Sequence, residues 1–260
     1  MTQAGTLPAL FELVAPEDWR AIDFISDLHL CERMPRTLQA WEAHLLNTPA
    51  DAVFILGDLF EVWVGDDTRM QAFERHCMEV MARAACHRHL AFMVGNRDFL
   101  VGSEMLRDSG LMGLPDPTLL DAWGHRILLS HGDALCLADE PYQRFRTQVR
   151  SAEWQSEFLS KPLDERQALA ADIREASAAR RKFDGAADAD VDVACAVHWL
   201  HALGAKEMVH GHTHRPGSAM LAPGYKRHVL TDWDLDSGQR AEIFRLDRAG
   251  FTRVAPSPAS

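Results

Sequence analysis

Residues 21–30, AIDFISDLHL, decide how the chain is read. Ile22, Phe24 and Ile25 predict a short buried strand, apolar and partly aromatic. The apolar run then stops at Asp27, Leu28 and His29. Two residues apart in extended backbone, Asp27 and His29 would project to the same side and could share one cation. A D-x-H step alone is equally a turn aspartate beside a core histidine. Its weight comes from repetition of the same device further along the chain.

Working outward, residues 51–56 (DAVFIL) predict a second buried strand, followed at once by Gly57 and Asp58. Residues 89–94 predict a third, ending in Gly95, Asn96, Arg97 and Asp98. Residues 126–130 run into His131, Gly132 and Asp133, and residues 207–209 into His210, Gly211, His212, Thr213 and His214. Helical spacing covers 37–46, with Leu38, Trp41, Leu45 and Leu46 on one face, then 70–87 and 193–203. This alternation points to βαβ units and a largely parallel sheet. Residues 228–232, 241–246 and 251–254 read as closing antiparallel strands, and 1–20 as a polar lead-in with strand character at 10–14. From 139 to 192 the pattern is helical and amphipathic.

Composition narrows the function classes. Asp and Glu number 38 against 27 Lys and Arg, a formal charge of −11, which leaves no global basic surface for nucleic acid. Hydrophobic residues at 47% support a sizeable core. The 5 cysteines are scattered without a C-x-x-C pair, which suggests neither a disulfide framework nor a thiolate zinc site. The first twenty residues lack a basic region before an apolar core, and no apolar run reaches about 18 residues. The expected compartment is the cytoplasm.

Collected from the strand ends, Asp27, His29, Asp58, Asn96, His131, His212 and His214 form one candidate constellation. In open α/β sheets, sites form beyond the carboxyl ends of strands. Oxygen and imidazole donors without sulfur suit Mn²⁺, Fe²⁺ or Zn²⁺ and argue against a structural zinc site. The set is large for one cation and suits two that share a carboxylate. Such a pair, about 3.5–4 Å apart, clamps a phosphoryl group. Gly57, Gly95, Gly132 and Gly211 recur where the backbone must turn sharply.

The order D-x-H, G-D, G-N-R-D, H-G-D, G-H-T-H resembles the calcineurin-like metallophosphoesterases over roughly residues 20–230. That resemblance implies an α/β core (an α+β sandwich) of mixed sheets flanked by helices. It implies that Asp27, His29, Asp58 and His214 hold one metal, and that Asp58 bridges to a second held by Asn96, His131 and His212. The stretches DLHLCERMPRT, GDLFEVWVGDD, GNRDFLVG and HGDALCLADEPYQRFR are similar to the UDP-2,3-diacylglucosamine hydrolase family of the lipid A pathway.

This closer resemblance implies two Mn²⁺ ions and a helical cap over 139–192, inserted into a core of 1–138 and 193–260. It implies metal-activated water attacking the α-phosphorus of UDP-2,3-diacylglucosamine, giving UMP and 2,3-diacylglucosamine 1-phosphate. Asp58, Asn96 and His131 would be central to catalysis. Asn96, Arg97 and His212 would face substrate phosphate, and Asp139 and Tyr142 the cap hinge. A monomer on the cytoplasmic face of the inner membrane is expected.

Inside the cap the chain departs from the family. Members carry a Ser, an Asn four residues on and a Lys seven on, whereas Ser177 is followed there by Arg181 and Asp184. Ser177 and the cluster Arg180, Arg181 and Lys182 are the candidates for headgroup contact. The pairs Trp154/Phe158 and Leu169/Ile173, with Trp63, predict either an acyl-chain chamber or simple packing of the cap on the core. Residues 144–183 hold 9 Lys or Arg and 6 Asp or Glu, a net of +3, which suits an anionic lipid surface or a solvated helix face.

Overall fold

The computed structural model describes residues 9–184 and 190–258, with side chains described except at 176–184. Three apolar runs form adjacent parallel strands: β2 (Ala21–Ile25), β3 (Ala52–Leu56) and β4 (His89–Met93). Their crossovers are α1 (Pro35–Asn47), which starts on a proline suited to the first helical turn, and α2 (Ala72–Ala85). After α3 (Ser103–Ser109), β5 (Met112–Leu114) extends one edge in parallel. The hairpin β11 (Ile243–Asp247) and β12 (Gly250–Val254) closes the other edge in antiparallel sense.

A second six-stranded sheet runs β1-β6-β7-β8-β10-β9. Its strands are β1 (Phe11–Val14), β6 (Thr118–Ala122), β7 (His125–Ser130), β8 (Glu207–His210), β9 (Gly217–Ala222) and β10 (Tyr225–Val229). Phe24, Phe54, Leu56 and Met93 of the first sheet meet Leu120, Ile127, Leu129 and Val209 of the second in one core. The alternate residues point outward: Ile25, Val53, Ile55 and Phe92 pack with Trp41, Leu45 and Met81 of the helices. On the far side Leu119, Leu128 and Met208 pack with Trp199 and Leu200 of α7 (Val193–Ala202). Strands buried on both faces read as unbroken apolar runs, which is why they were visible in sequence. Emptying an inner position such as Phe54→Ala would cost about 3–5 kcal/mol.

A buried Asp23 ties these layers at the edge. It takes two bonds from Arg245 at 2.6 and 2.9 Å and one from Thr48 at 2.6 Å. Despite burial, those donors and His44 hold its carboxyl down at about 2.

The structure departs from the sequence expectations in three places. The alternation alone pointed to one largely parallel sheet, where the chain forms two mixed sheets, as the family resemblance implied. The strand at 228–232 starts earlier, as β10, and runs parallel to β8; its antiparallel partner is β9, an unexpected and largely exposed edge strand. The elements α3 and β5, too brief to carry a periodic signal, were not foreseen, nor was β6, although it is as long as β2.

The two sheets present their strand ends to a common place. The amides of Leu28 and His29 donate to Asp58 O at 2.9 and 3.0 Å, and Gly211 N donates to His131 O at 3.0 Å. Between β7 and α7 the chain leaves to form α4 (Glu140–Val149), α5 (Ala152–Leu159) and α6 (Leu163–Asp184). Among the described residues no helix is long and apolar enough to cross a membrane.

Candidate metal centre and the cavity above it

All seven constellation residues converge. Asp27, His29 and His214 offer donor atoms within 4.8 Å of one another, and so do Asp27, Asp58 and His131. Asn96 joins through its Oδ1, 2.8 Å from His212 Nδ1 and 3.1 Å from His131 Nε2.

The backbone device differs from the extended D-x-H expected. Asp27, His29, Asp58, His212 and His214 each sit at a φ between 49° and 65°, five of the six such non-glycine residues among those described. Left-handed backbone is costly for residues with a Cβ and gathers at sites that need a side chain re-aimed. Glycine serves a second purpose here. A Cβ on Gly95 would strike the Asp58 carboxylate, and one on Gly211 would strike Asp27 and Ser26. These glycines let backbone approach the donors closely.

The carboxylate donors are also held from behind. Asp27 accepts from Ser26 Oγ at 2.5 Å and from His212 N at 3.0 Å. Asp58 Oδ1 accepts from Arg97 N at 2.8 Å. Asp98, fully buried, accepts from Gly95 N and Leu59 N, both at 2.7 Å, and so fixes the loops carrying Asp58 and Asn96. Burial and the neighbouring Asp58 push Asp98 up to about 6.

The electrostatics call for positive charge. His131 gives its Nδ1 side to the Leu56 carbonyl at 2.9 Å. Its Nε2 then faces only oxygens, Asn96 Oδ1 at 3.1 Å and Asp58 Oδ1 at 3.7 Å. Burial opposes a charged ring, yet Asp58, Asp133 and Asp27 still raise His131 to about 9. His29 Nε2 and His214 Nε2 face each other at 3.3 Å beside Asp58 and Asp27. Acceptors aimed at acceptors around buried carboxylates fit a divalent cation between them.

Above the donors lies a cavity of about 430 Å³ with two unlike ends. His29, Asp58, Asn96, Arg97, His212 and His214 line one end, and Trp63, Phe99, Trp154, Phe158, Ala170 and Ile173 the other. Trp154 and Phe158 stack at 4.7 Å and 14°. Of the second expected pair, Ile173 lines the cavity, whereas Leu169 packs into the core beneath.

Residues 21–216 match the calcineurin-like phosphoesterase family. The UDP-2,3-diacylglucosamine hydrolase of Chromobacterium violaceum is 42% identical over 239 residues, 89% of this chain and 97% of its own. That of Stenotrophomonas maltophilia is 39% identical over 246 residues, covering 88% and 96%. That of Aromatoleum aromaticum is 41% identical over 233 residues, covering 87% and 93%. This chain belongs to the UDP-2,3-diacylglucosamine hydrolase family of calcineurin-like phosphoesterases. Like other calcineurin-like phosphoesterases, it uses divalent metal.

For a member of that family, the roof of the cavity is as telling as its floor. Asp139 caps α4 by accepting Tyr142 N at 3.0 Å, and both line the cavity. The Tyr142 ring stacks on His212 at 5.9 Å, and its hydroxyl donates to Asp133 at 2.6 Å. Asp133 also accepts from Arg146 at 2.8 Å and Arg150 at 3.3 Å, and Arg150 reaches Gly95 O at 3.0 Å. Farther along, buried Arg166 bonds Val64 O and Asp67, and Arg174 bonds Glu61. Ser177, Arg180, Arg181 and Lys182 have side chains outside the described residues.

Sequence reading gave no role to Asp98, Asp133, Glu61, Arg166 or Arg174. Asp98 and Asp133 stand inside the motifs G-N-R-D and H-G-D, so their place was visible but their partners were not. Asp66 is a further case. It accepts from Gly102 N at 2.8 Å and Glu104 N at 2.9 Å, anchoring the start of α3 beside Trp63.

Proposed function

We propose that the protein hydrolyses the pyrophosphate bond of UDP-2,3-diacylglucosamine, releasing UMP and 2,3-diacylglucosamine 1-phosphate in lipid A synthesis. The observation that carries this reading is the single cavity with an ionic floor and an aromatic roof. A diphosphate joined to acyl chains needs both ends, and a soluble nucleotide needs only the first. The named relatives that match over nearly their whole length support the same substrate.

Asp27, His29, Asp58 and His214 would hold one ion; Asp58 would be shared with a second held by Asn96, His131 and His212. Their oxygen and imidazole character suits Mn²⁺. Bound there, the ions would acidify a water and neutralise charge on phosphoryl oxygens. The remaining work falls to the chain. Arg97 lines the floor with a buried Nε that has no hydrogen-bond partner among the described residues, so its guanidinium can take phosphate oxygens in a planar fork. Tyr142, on the His212 ring, closes the floor from the solvent side. Trp154, Phe158 and Ile173 receive acyl chain and exclude water, which strengthens every charge interaction beneath. Asn96 and His212 face the phosphate from the floor, and Asp58, Asn96 and His131 surround the point of attack.

Residues 139–192 act as one cap on a core of 1–138 and 193–260, and Ser177, Arg180, Arg181 and Lys182 lie in the stretch that would meet the headgroup. The protein works as a monomer on the cytoplasmic face of the inner membrane. Exposed Met70, Leu159 and Ile173, on and beside the cap, would face the lipid. Mass analysis of products from the acylated UDP-glucosamine with Mn²⁺ tests the reading. UMP and diacylglucosamine 1-phosphate are expected; no turnover by metal-loaded protein would overturn it.

A further inference from the structure

Glu61 stands between the roof and the floor. Its backbone is fixed to the loop that carries His29, because Glu61 N donates to Leu30 O at 3.1 Å. Its two carboxylate oxygens face opposite ways. Oε1 accepts from Arg174 of α6, and Oε2 lies 3.3 Å from His29 Nδ1. That Nδ1 is buried and lacks a well-aligned hydrogen bond from any partner. Arg174 directly follows Ile173, which lines the apolar end of the cavity. Arg97 is the other cation near the Glu61 carboxylate.

A histidine that binds metal through one ring nitrogen is aligned by what its other nitrogen meets, often a carboxylate. Here that carboxylate is shared with a guanidinium borne on a cap helix. Where α6 sits therefore sets where Glu61 points, and the fixed backbone leaves only the side chain to respond. We propose that Glu61 is a positioning residue that couples the seat of α6 to the alignment of His29, so that filling the apolar end and ordering the metal centre are one event. The inference rests on His29 being a metal ligand, as in the reading above. It adds that acyl chains contribute to rate as well as to binding. A substrate without them leaves α6 poorly seated and His29 poorly aligned, and so loses kcat as well as KM. Coupling of this kind is reciprocal: metal must seat α6 by the same factor that a seated α6 favours metal.

The test uses the full chain as wild type, Glu61→Gln, Arg174→Gln and the double variant. Mn²⁺ isotherms are paired with hydrogen exchange over residues 163–175, with and without saturating Mn²⁺. Wild type should bind Mn²⁺ and slow exchange in that segment. Each single variant should bind about 10-fold more weakly, as is usual when the group orienting a ligand is lost, and should lose the metal-dependent protection. The double variant should be no weaker than either single. Arg174→Gln touches no donor, so its effect on Mn²⁺ is what a merely structural Glu61 would not produce. Folded Arg174→Gln with wild-type affinity, or single effects that add in the double, would overturn the coupling alone. Wild type that binds no Mn²⁺ would overturn the metal centre and the coupling with it. If Glu61→Gln fails to fold by circular dichroism, Arg174→Gln decides by the same criteria.

Discussion

The floor and the roof of the cavity are held in opposite ways. At the floor, the donors sit on strand-end loops, and Asp27, Asp58 and His131 are bonded from behind, Asp27 by Ser26 and His212, Asp58 by Arg97 N and His131 by the Leu56 carbonyl. At the roof, three helices seat Phe158, Leu163 and Leu169 on the core and are tied by a few polar contacts: Asp133 with Tyr142, Arg146 and Arg150, Arg166 on Asp67, and Arg174 on Glu61. The difference suits the two tasks. Cations demand fixed distances, whereas acyl chains demand a volume that can open and close. Damage to the floor should abolish chemistry, and damage to the roof should change what is chosen or how firmly the roof sits.

The largest effect is expected at Asp58, proposed above as the donor shared by the two ions. Asp58→Ala should lower kcat by more than about 100-fold, beyond the loss typical of a group that only orients a ligand, with circular dichroism unchanged. Near-wild-type turnover would mean that the floor tolerates a gap as readily as the roof.

The next effect is at the joint. Asp133→Ala leaves Arg146 and Arg150 without their buried carboxylate. Breaking a buried pair costs about 3–5 kcal/mol, and the partial exposure of these arginines reduces that to about 2 kcal/mol. Urea unfolding should show the loss, and proteolysis should cut α4 or α5 before the core. Equal protection of cap and core in this variant would contradict a roof hung on Asp133.

The smallest effect is in the roof itself. Trp154→Ala should reduce the kcat/KM ratio of acylated over non-acylated substrate about 10-fold, a difference of about 1.4 kcal/mol that two buried methylenes exceed. Metal affinity should not change. An unchanged ratio would assign Trp154 to packing alone.

The same contrast explains what could be read from the sequence. The floor was legible because the donors follow apolar runs, and Asp58, Asn96, His131 and His212 each stand beside a glycine, a pattern that local sequence preserves. Even there the means of projection was not: Asp27 and His29 are re-aimed by left-handed backbone, not by sharing one face of a strand. The roof was less legible, because helical spacing reports a common face and not what that face meets. Leu169 and Ile173 have the right spacing, yet one is in the core and the other in the cavity. The joints were illegible for a different reason. Glu61 and Arg174 are 113 residues apart, and nothing local to either marks the other. The edge strand β9 was missed because its short apolar stretch, residues 219–222, shows no alternation to mark a half-buried strand.

The central claim is that floor and roof act on one substrate, with water directed to the phosphorus next to uridine. Turnover of UDP-2,3-diacylglucosamine in water enriched in heavy oxygen, followed by mass analysis of both products, tests this most directly. The label should enter UMP and be absent from the sugar 1-phosphate, and the non-acylated UDP-sugar should turn over far more slowly under the same conditions. Label in the lipid product, or equal turnover of the two substrates, would contradict it.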